Sequence, residues 1–439
     1  MKLSHLTLCA LVGITITAEA QTKADTSLSN KPFVNWAKAN AISLQDADKA
    51  TGYADMQPIK KMIGNARVVA LGEASHGQHE PQAFRNRLFK FLVEQCGFTT
   101  IVMEAGIAET AESTEFVAAG SGDPKAGAKK MTMGDGSKEN IELMQWMRAY
   151  NDNPAHKNKL SFYGMDMQII GFPGDTNSRH AAIDITLKYL EKVDAASAGK
   201  AKSALTPYLG RMSMAKYPEL SVSEQNQLSA TLDGMIALIT REQINYIAKS
   251  SKDEYEWAKR IAIAALQTNR LARLTAPGAS SNIPPDAWMQ VNMRDASMAE
   301  NLLWILNSRA NRKVLIYSHN GHVKNAPGQG GVWDAFAQPP NMLGQYLRQA
   351  LGKDLYIIGA SNSPVIKTAQ PGSIDLALTG VGKPRFIVDF KAAATADPKI
   401  KEWLNVTRPI EANVYTFMTM KMGTAFDAMV FLSKGENGK

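Results

Sequence analysis

Short apolar runs rich in β-branched residues alternate along this chain with longer stretches of helical period. The runs fall at 66–71, 98–103, 160–165, 313–318, 355–360, 386–390 and 426–432. Several are continuous rather than alternating, as in Val68-Val69-Ala70-Leu71 and Val314-Leu315-Ile316-Tyr317, which is the pattern of strands buried on both faces. Strands separated by helices predict an α/β fold, with a mostly parallel β-sheet flanked by helices.

Between the third and fourth runs the period changes. From about 176 to 275 the apolar positions follow a helical repeat, as at Ile183, Leu187 and Leu190 and again at Leu228, Leu232, Met235 and Ile239, and no strand pattern interrupts it. Ser251 and Glu254 have the spacing of a capping box ahead of a helix carrying Trp257, Ile261 and Leu266, which Pro277 ends. The reading is a large all-helical insertion forming a lid over the active-site cleft, at 176–276. It divides an α/β core into a first part, 21–175, and a second, 277–439. The Gly- and Lys-rich segment 120–138 reads as a loop before a helix at 140–151, and a further helix is expected at 81–95.

The N-terminus has its own pattern. Lys2 precedes roughly a dozen apolar residues from Leu6 to Thr17, too few for a bilayer span, which needs about 20. Ala18-Glu19-Ala20 follows as a small-x-small site, so 1–20 is expected to be a secretory signal, with export to the periplasm or medium and a mature chain from Gln21. Cys9 lies in that signal, which leaves Cys96 as the one thiol of the mature chain. An intramolecular disulfide is excluded, and stability must come from burial.

A net charge of +8 raises the question of a nucleic-acid partner. The basic residues are scattered in ones and twos, without the clustered footprint such binding needs. No nucleic acid and no membrane span are expected. The oligomeric state stays open, with a monomer as the default.

In a parallel α/β sheet ligands bind beyond the carboxyl ends of the strands. The first strand runs into Gly72-Glu73-Ala74-Ser75-His76-Gly77, the second into Glu104-Ala105-Gly106, the third into Asp166-Met167-Gln168 and the fourth into His319-Asn320-Gly321-His322. Any one of these carboxylates alone is most simply a helix cap or a solvated loop residue, and any one histidine stands evenly between a satisfied core group and a functional one. Three carboxylates and three histidines on one edge predict a shared active site. Glu73, three positions before His76, can orient the imidazole as a triad acid does. Ser75 lacks the Gly-x-Ser-x-Gly elbow of a nucleophile, so water activated by His76 is the preferred attacking group. Arg85 follows on the next helix, where an arginine usually lies on a solvated face.

These segments, with Trp146-Met147-Arg148-Ala149-Tyr150-Asn151, Phe162-Tyr163-Gly164-Met165-Asp166, and Arg294-Asp295 followed by Met298-Ala299 and Asn301, resemble the erythromycin esterase family over about residues 60 to 435. The resemblance implies a carboxylic ester hydrolase that opens a macrolide lactone or related ester with water, without metal or cofactor, and so confers macrolide resistance. It carries the catalytic roles onto His76, Glu73, Glu104, Arg85 and His319. From the residues themselves, His322, Asp166, Ser75 and Arg294 are candidates for substrate binding or support, and His319 or Arg85 can stabilise the charge on the carbonyl oxygen.

Two other hydrolytic readings use the same residues. A metal-dependent hydrolase would draw on His76, His319, His322, Glu73 and Glu104 as ligands, and an envelope polysaccharide- or ester-modifying enzyme would differ in substrate alone. A non-hydrolytic binding protein, suggested by 21 methionines, would gather carboxylates and imidazoles in a cleft with no chemistry to perform.

Overall fold

The computed structural model describes residues 29–131, 137–167, 181–212, 216–274, 285–362, 370–412 and 417–433. The expected signal lies outside them. The strands are β1 (Ile42–Ser43), β2 (Val68–Glu73), β3 (Thr100–Gly106), β4 (Ser161–Asp166), β5 (Val314–His319), β6 (Leu355–Asn362), β7 (Arg385–Asp389), β8 (Thr407–Glu411), β9 (Phe417–Lys421) and β10 (Ala428–Leu432). All seven expected strands are present, with ends displaced by three residues at most.

Eight strands form one sheet in the order β1-β7-β10-β6-β2-β5-β3-β4. From β10 to β4 every neighbouring pair is parallel, while β7 runs antiparallel to β10 and to β1. The sheet separates two apolar clusters because successive side chains point to opposite faces. Val68, Ala70, Val314 and Ile316 join one cluster with Met298, Leu302 and Ile305 of helix Trp288–Asn307. Val69, Leu71, Leu315 and Tyr317 join the other with Phe84, Leu88 and Phe89 of helix His79–Cys96. The chain therefore leaves β2 toward one face, whereas beyond β5 it packs Leu343 and Leu347 on the other. Adjacent parallel strands whose connections diverge in this way open a crevice at their carboxyl ends.

Two glycines allow the close approaches there. A Cβ on Gly72 would lie 2.1 Å from Asn320 Oδ1, and Gly77 has φ +76°, the left-handed region that favours glycine.

Residues Met167–Gln290, with Ala335–Gln338, make a separate compact unit. Its described elements are the helices Ala181–Val193, Ala195–Leu209, Val222–Arg241, Gln243–Lys249 and Lys252–Arg273 and a short 3-10 turn at Tyr217–Glu219. The seven apolar positions read as a helical stripe are all buried. Ser251 caps the last helix, its Oγ accepting from the Glu254 amide at 3.1 Å. Pro277 lies outside the described residues.

The structure adds elements that the sequence pattern did not announce, among them the two-residue edge strand β1. The expected loop 120–138 contains a helix, Pro124–Met131. Its Gly127 packs so closely that a Cβ would meet Ser113 Oγ at 2.4 Å, so the glycine that reads as a loop signal is a packing device. The β8–β9 hairpin was not expected, because Pro409 and flanking charges obscure its period.

Candidate active site

Glu73, Asp166 and His319 are the last residues of β2, β4 and β5, and Glu73 lies directly opposite His319 in the pairing register. Glu104 reaches the same place by a different route. It falls in a register shift of β3 between Met103 and Gly106, and such a bulge re-aims a side chain at the end of a strand. The carboxyl edge of four neighbouring parallel strands thus collects the predicted residues.

The Glu73–His76 pair is direct. His76 Nδ1 donates to Glu73 Oε1 at 2.5 Å, and Glu73 Oε2 accepts from the Tyr317 hydroxyl. Glu73 is buried, whereas the His76 side chain is 53% exposed. Among the described residues no hydrogen bond reaches His76 Nε2. Burial pulls the His76 pKa down, but the hydrogen bond to Glu73 and the charges of Glu104 and Glu73 outweigh it, so the imidazole is more basic than ordinary histidine. Ser75 makes no hydrogen bond to His76 among the described residues, and Nδ1, the nitrogen nearer the backbone, belongs to Glu73.

A second, more buried network lies beside this pair. Glu104 accepts four donors: Ser318 Oγ at 2.7 Å and the His319 amide at 2.8 Å on one oxygen, Arg294 at 3.0 Å and His322 Nε2 at 3.2 Å on the other. Arg294 also donates to Asp166 at 2.7 and 2.9 Å. His322 Nδ1 donates to Asp295 at 2.8 Å, and Asp295 further accepts the Leu343 amide at 2.8 Å. Burial lowers the His322 pKa, yet the Asp295 and Glu104 carboxylates raise it to about 10. His322 is therefore a cation at neutral pH. For Glu104, burial favours protonation, but His322, His76 and Arg294 hold the carboxyl well below its usual range. Glu104 is an ionised acceptor with every lone pair engaged, which suits positioning rather than proton transfer.

His319 and Arg85 require correction as stabilisers of a carbonyl oxygen. The His319 ring lies 5.1 Å from that of His76, centroid to centroid. Its Nε2 donates to the Ala74 carbonyl at 3.1 Å and its Nδ1 accepts from the Gly321 amide at 3.1 Å, so both nitrogens are taken by backbone. Burial and the neighbouring His76 push its pKa down to about 3, leaving it neutral. Arg85 is 1% exposed, neither on a solvated face nor at the site's surface. Its guanidinium lies 4.8 Å from the centre of the Tyr317 ring and donates to Asn86 Oδ1 at 2.7 and 3.0 Å.

Tyr317 and Asp295 join these networks and were not singled out from the sequence. Tyr317 ends an apolar strand run and reads as core. Asp295 appears there only inside a family motif, and its full burial is what marks it out.

The site loop is anchored at its far end by His79, which bonds Glu139 at 2.6 Å and Asp48 at 2.7 Å. These two hydrogen bonds raise its pKa to about 9, so the clamp is charged at neutral pH. A cavity of about 450 Å³ opens along this flank, lined by residues including Asp48, Tyr53, His79, Arg87 and Glu94. His76 and Glu73 do not line it.

A metal would find few free donors. His319 is bound to backbone, and both His322 nitrogens face carboxylates. Among the described residues no group of three or more His, Cys, Asp or Glu side chains is arranged to hold an ion.

Comparison with known proteins gives concordant matches. The erythromycin esterase family model matches residues 93–435; Glu73, His76 and Arg85 precede that segment. Erythromycin esterase type II of Escherichia coli is 27% identical over 396 residues, covering 82% of this chain and 89% of that protein. A crystal structure of a Bacillus cereus protein superposes with a TM-score of 0.77 at 25% identity, covering 92% of this chain and 98% of that one. The erythromycin esterase EreC, a mutant in its open conformation, shares the fold with a TM-score of 0.65 at 16% identity, over 91% of this chain and 99% of that one.

Proposed function

The chain belongs to the erythromycin esterase family of hydrolases, and from that premise we propose that it opens the lactone of a macrolide, or a closely related ester, with water activated by His76. The observation that supports this most directly is the state of the His76 ring. Nδ1 is committed to Glu73 at 2.5 Å, while Nε2 is unclaimed among the described residues on a half-exposed side chain.

In this reading neutral His76 takes a proton from water through Nε2 as the water oxygen attacks the ester carbonyl. Glu73 fixes the tautomer and balances the imidazolium that forms. The same proton then passes to the departing alkoxide, so that one water is consumed and acid and alcohol are released. The charge on the carbonyl oxygen falls to Arg294 rather than to His319 or Arg85. Its side chain is 23% exposed; Nε and Nη2 are taken by carboxylates, and Nη1 lies 3.2 Å from His322 Nε2 rather than on a carboxylate. Preorganised donors of this kind are typically worth about two to three powers of ten in rate.

The test is to incubate the purified protein with a panel of 14-membered macrolides, with and without chelator, and follow product mass. Gain of one water, unaffected by chelation, is the expected result. Absence of that product from every macrolide would overturn the substrate assignment. Activity abolished by chelator and restored by a divalent ion would overturn the metal-free mechanism.

A further inference from the structure

We propose that Tyr317 is a positioning residue that holds Glu73 as a pure hydrogen-bond acceptor, so that the proton shared by Glu73 and His76 stays on the imidazole. The inference rests on the reading of His76 as the base. Glu73 has two carboxylate oxygens and the structure gives each one a single use, Oε1 for His76 Nδ1 and Oε2 for the Tyr317 hydroxyl.

The phenol is suited to that use. Tyr317 is buried in β5 opposite Leu71 of β2, two residues before the strand's end, so its hydroxyl reaches Glu73 across one strand spacing. Burial and the Glu73 carboxylate keep it un-ionised by raising its pKa well above that of ordinary tyrosine, and an un-ionised phenol can donate its proton without surrendering it. The Arg85 guanidinium lies against the Tyr317 ring, and a cation over the ring draws electron density from it and strengthens the O–H as a donor. Arg85 is itself fixed by Asn86, whose Nδ2 donates to the Glu139 carbonyl at 2.8 Å. Glu139 is the residue that clamps His79, so the two ends of the loop 73–79 are tied through one chain of contacts.

A donor on Oε2 stabilises the carboxylate charge and makes it a weaker pull on the His76 proton. Without it Glu73 becomes more basic. The imidazolium is then held more tightly, and the carboxylate competes more strongly for the proton on Nδ1. The groups that also act on His76 are Glu104 from β3, His319 from β5 and His322 from the turn after it. Arg85 lies behind Tyr317 and Arg294 behind His322. Among the described residues none of these hydrogen-bonds the Tyr317 hydroxyl, so its removal acts on the Glu73 contact.

The experiment is an NMR titration of His76 in histidine-labelled full-length protein, with the resonance assigned by its absence in His76→Asn. In Tyr317→Phe the midpoint should rise by about half a pH unit or more, and in Glu73→Gln it should fall below that of the wild type. A merely structural role predicts no such opposed pair. A fluorinated tyrosine at 317, a stronger donor with almost unchanged shape, should lower the midpoint and keeps the test available should the phenylalanine variant fold poorly. In turnover, Tyr317→Phe should reduce kcat about tenfold or more with KM unchanged. A midpoint in Tyr317→Phe within about 0.2 unit of the wild type, or below it, would overturn the proposal. The titration needs no substrate, so it decides the role of Tyr317 even where no macrolide is hydrolysed.

Discussion

His76→Ala is expected to lower turnover by about three to four powers of ten and to leave the protein folded. Loss of a general base typically costs two to four powers of ten. The upper part of that range applies because, among the imidazoles gathered here, His319 and His322 have both ring nitrogens committed, so neither can substitute. Folding should survive because the His76 ring is half exposed and Glu73 keeps its Tyr317 hydrogen bond. Steady-state kinetics and thermal unfolding of the purified variant check both halves. Ser75→Ala is the companion, with a loss of a few-fold at most, since no hydrogen bond links that hydroxyl to His76 among the described residues. A total loss there and a small one at His76 would reverse the roles.

The largest stability effect is expected at Arg294. Arg294→Leu leaves Asp166 and Glu104 without the cation that bridges them. Removing one partner of a buried ion pair costs about 3–5 kcal/mol. The lower end, about 3 kcal/mol, is appropriate here because Arg294 keeps 23% of its side chain exposed and Glu104 retains His322. The pH dependence has a definite sign. The Glu104 pKa is depressed in the folded protein, so its contribution is present above the ordinary carboxylate pKa, about 4.3, and is lost as pH falls through the depressed value. The gap between wild type and variant should therefore be widest near neutral pH and narrow in acid. Urea unfolding at neutral pH and at a series of pH values below about 4 measures it. A difference under about 1 kcal/mol at neutral pH would mean that the network adds little to stability.

Much of this was legible in the amino-acid order, for reasons that can be named. Strands buried on both faces are continuous apolar runs, which is why the seven central elements could be placed. The polar residues after Leu71, Met103, Met165 and Ser318 then had to meet if the strands were parallel. What the pattern could not convey is where each side chain points. Glu104 reaches the network through a bulge, and a bulge has no periodic signature. Tyr317 reads as an apolar strand residue until its hydroxyl is found on a buried carboxylate. Arg85, on a helix, could face solvent, substrate or core with equal ease, and the aromatic ring that fixes it in the core comes from a strand 232 residues later. His319 was recognisable as a site residue, but the two backbone hydrogen bonds that occupy its ring, one to the Ala74 carbonyl after β2 and one from the Gly321 amide of the turn Asn320–Val323, depend on how two distant segments meet.

The central claim, that neutral His76 held by Glu73 is the base, is tested most directly by the pH dependence of kcat/KM for macrolide hydrolysis. A base must be unprotonated to act, so activity should rise with pH along a single acid limb whose midpoint is the pKa of His76 in the free enzyme. Because that pKa is raised by Glu73 and Glu104, the midpoint should lie above 6.5, the ordinary value for histidine, with activity still climbing at neutral pH. A limb centred near pH 4, or a rate that does not change between pH 5 and 8, would contradict the account.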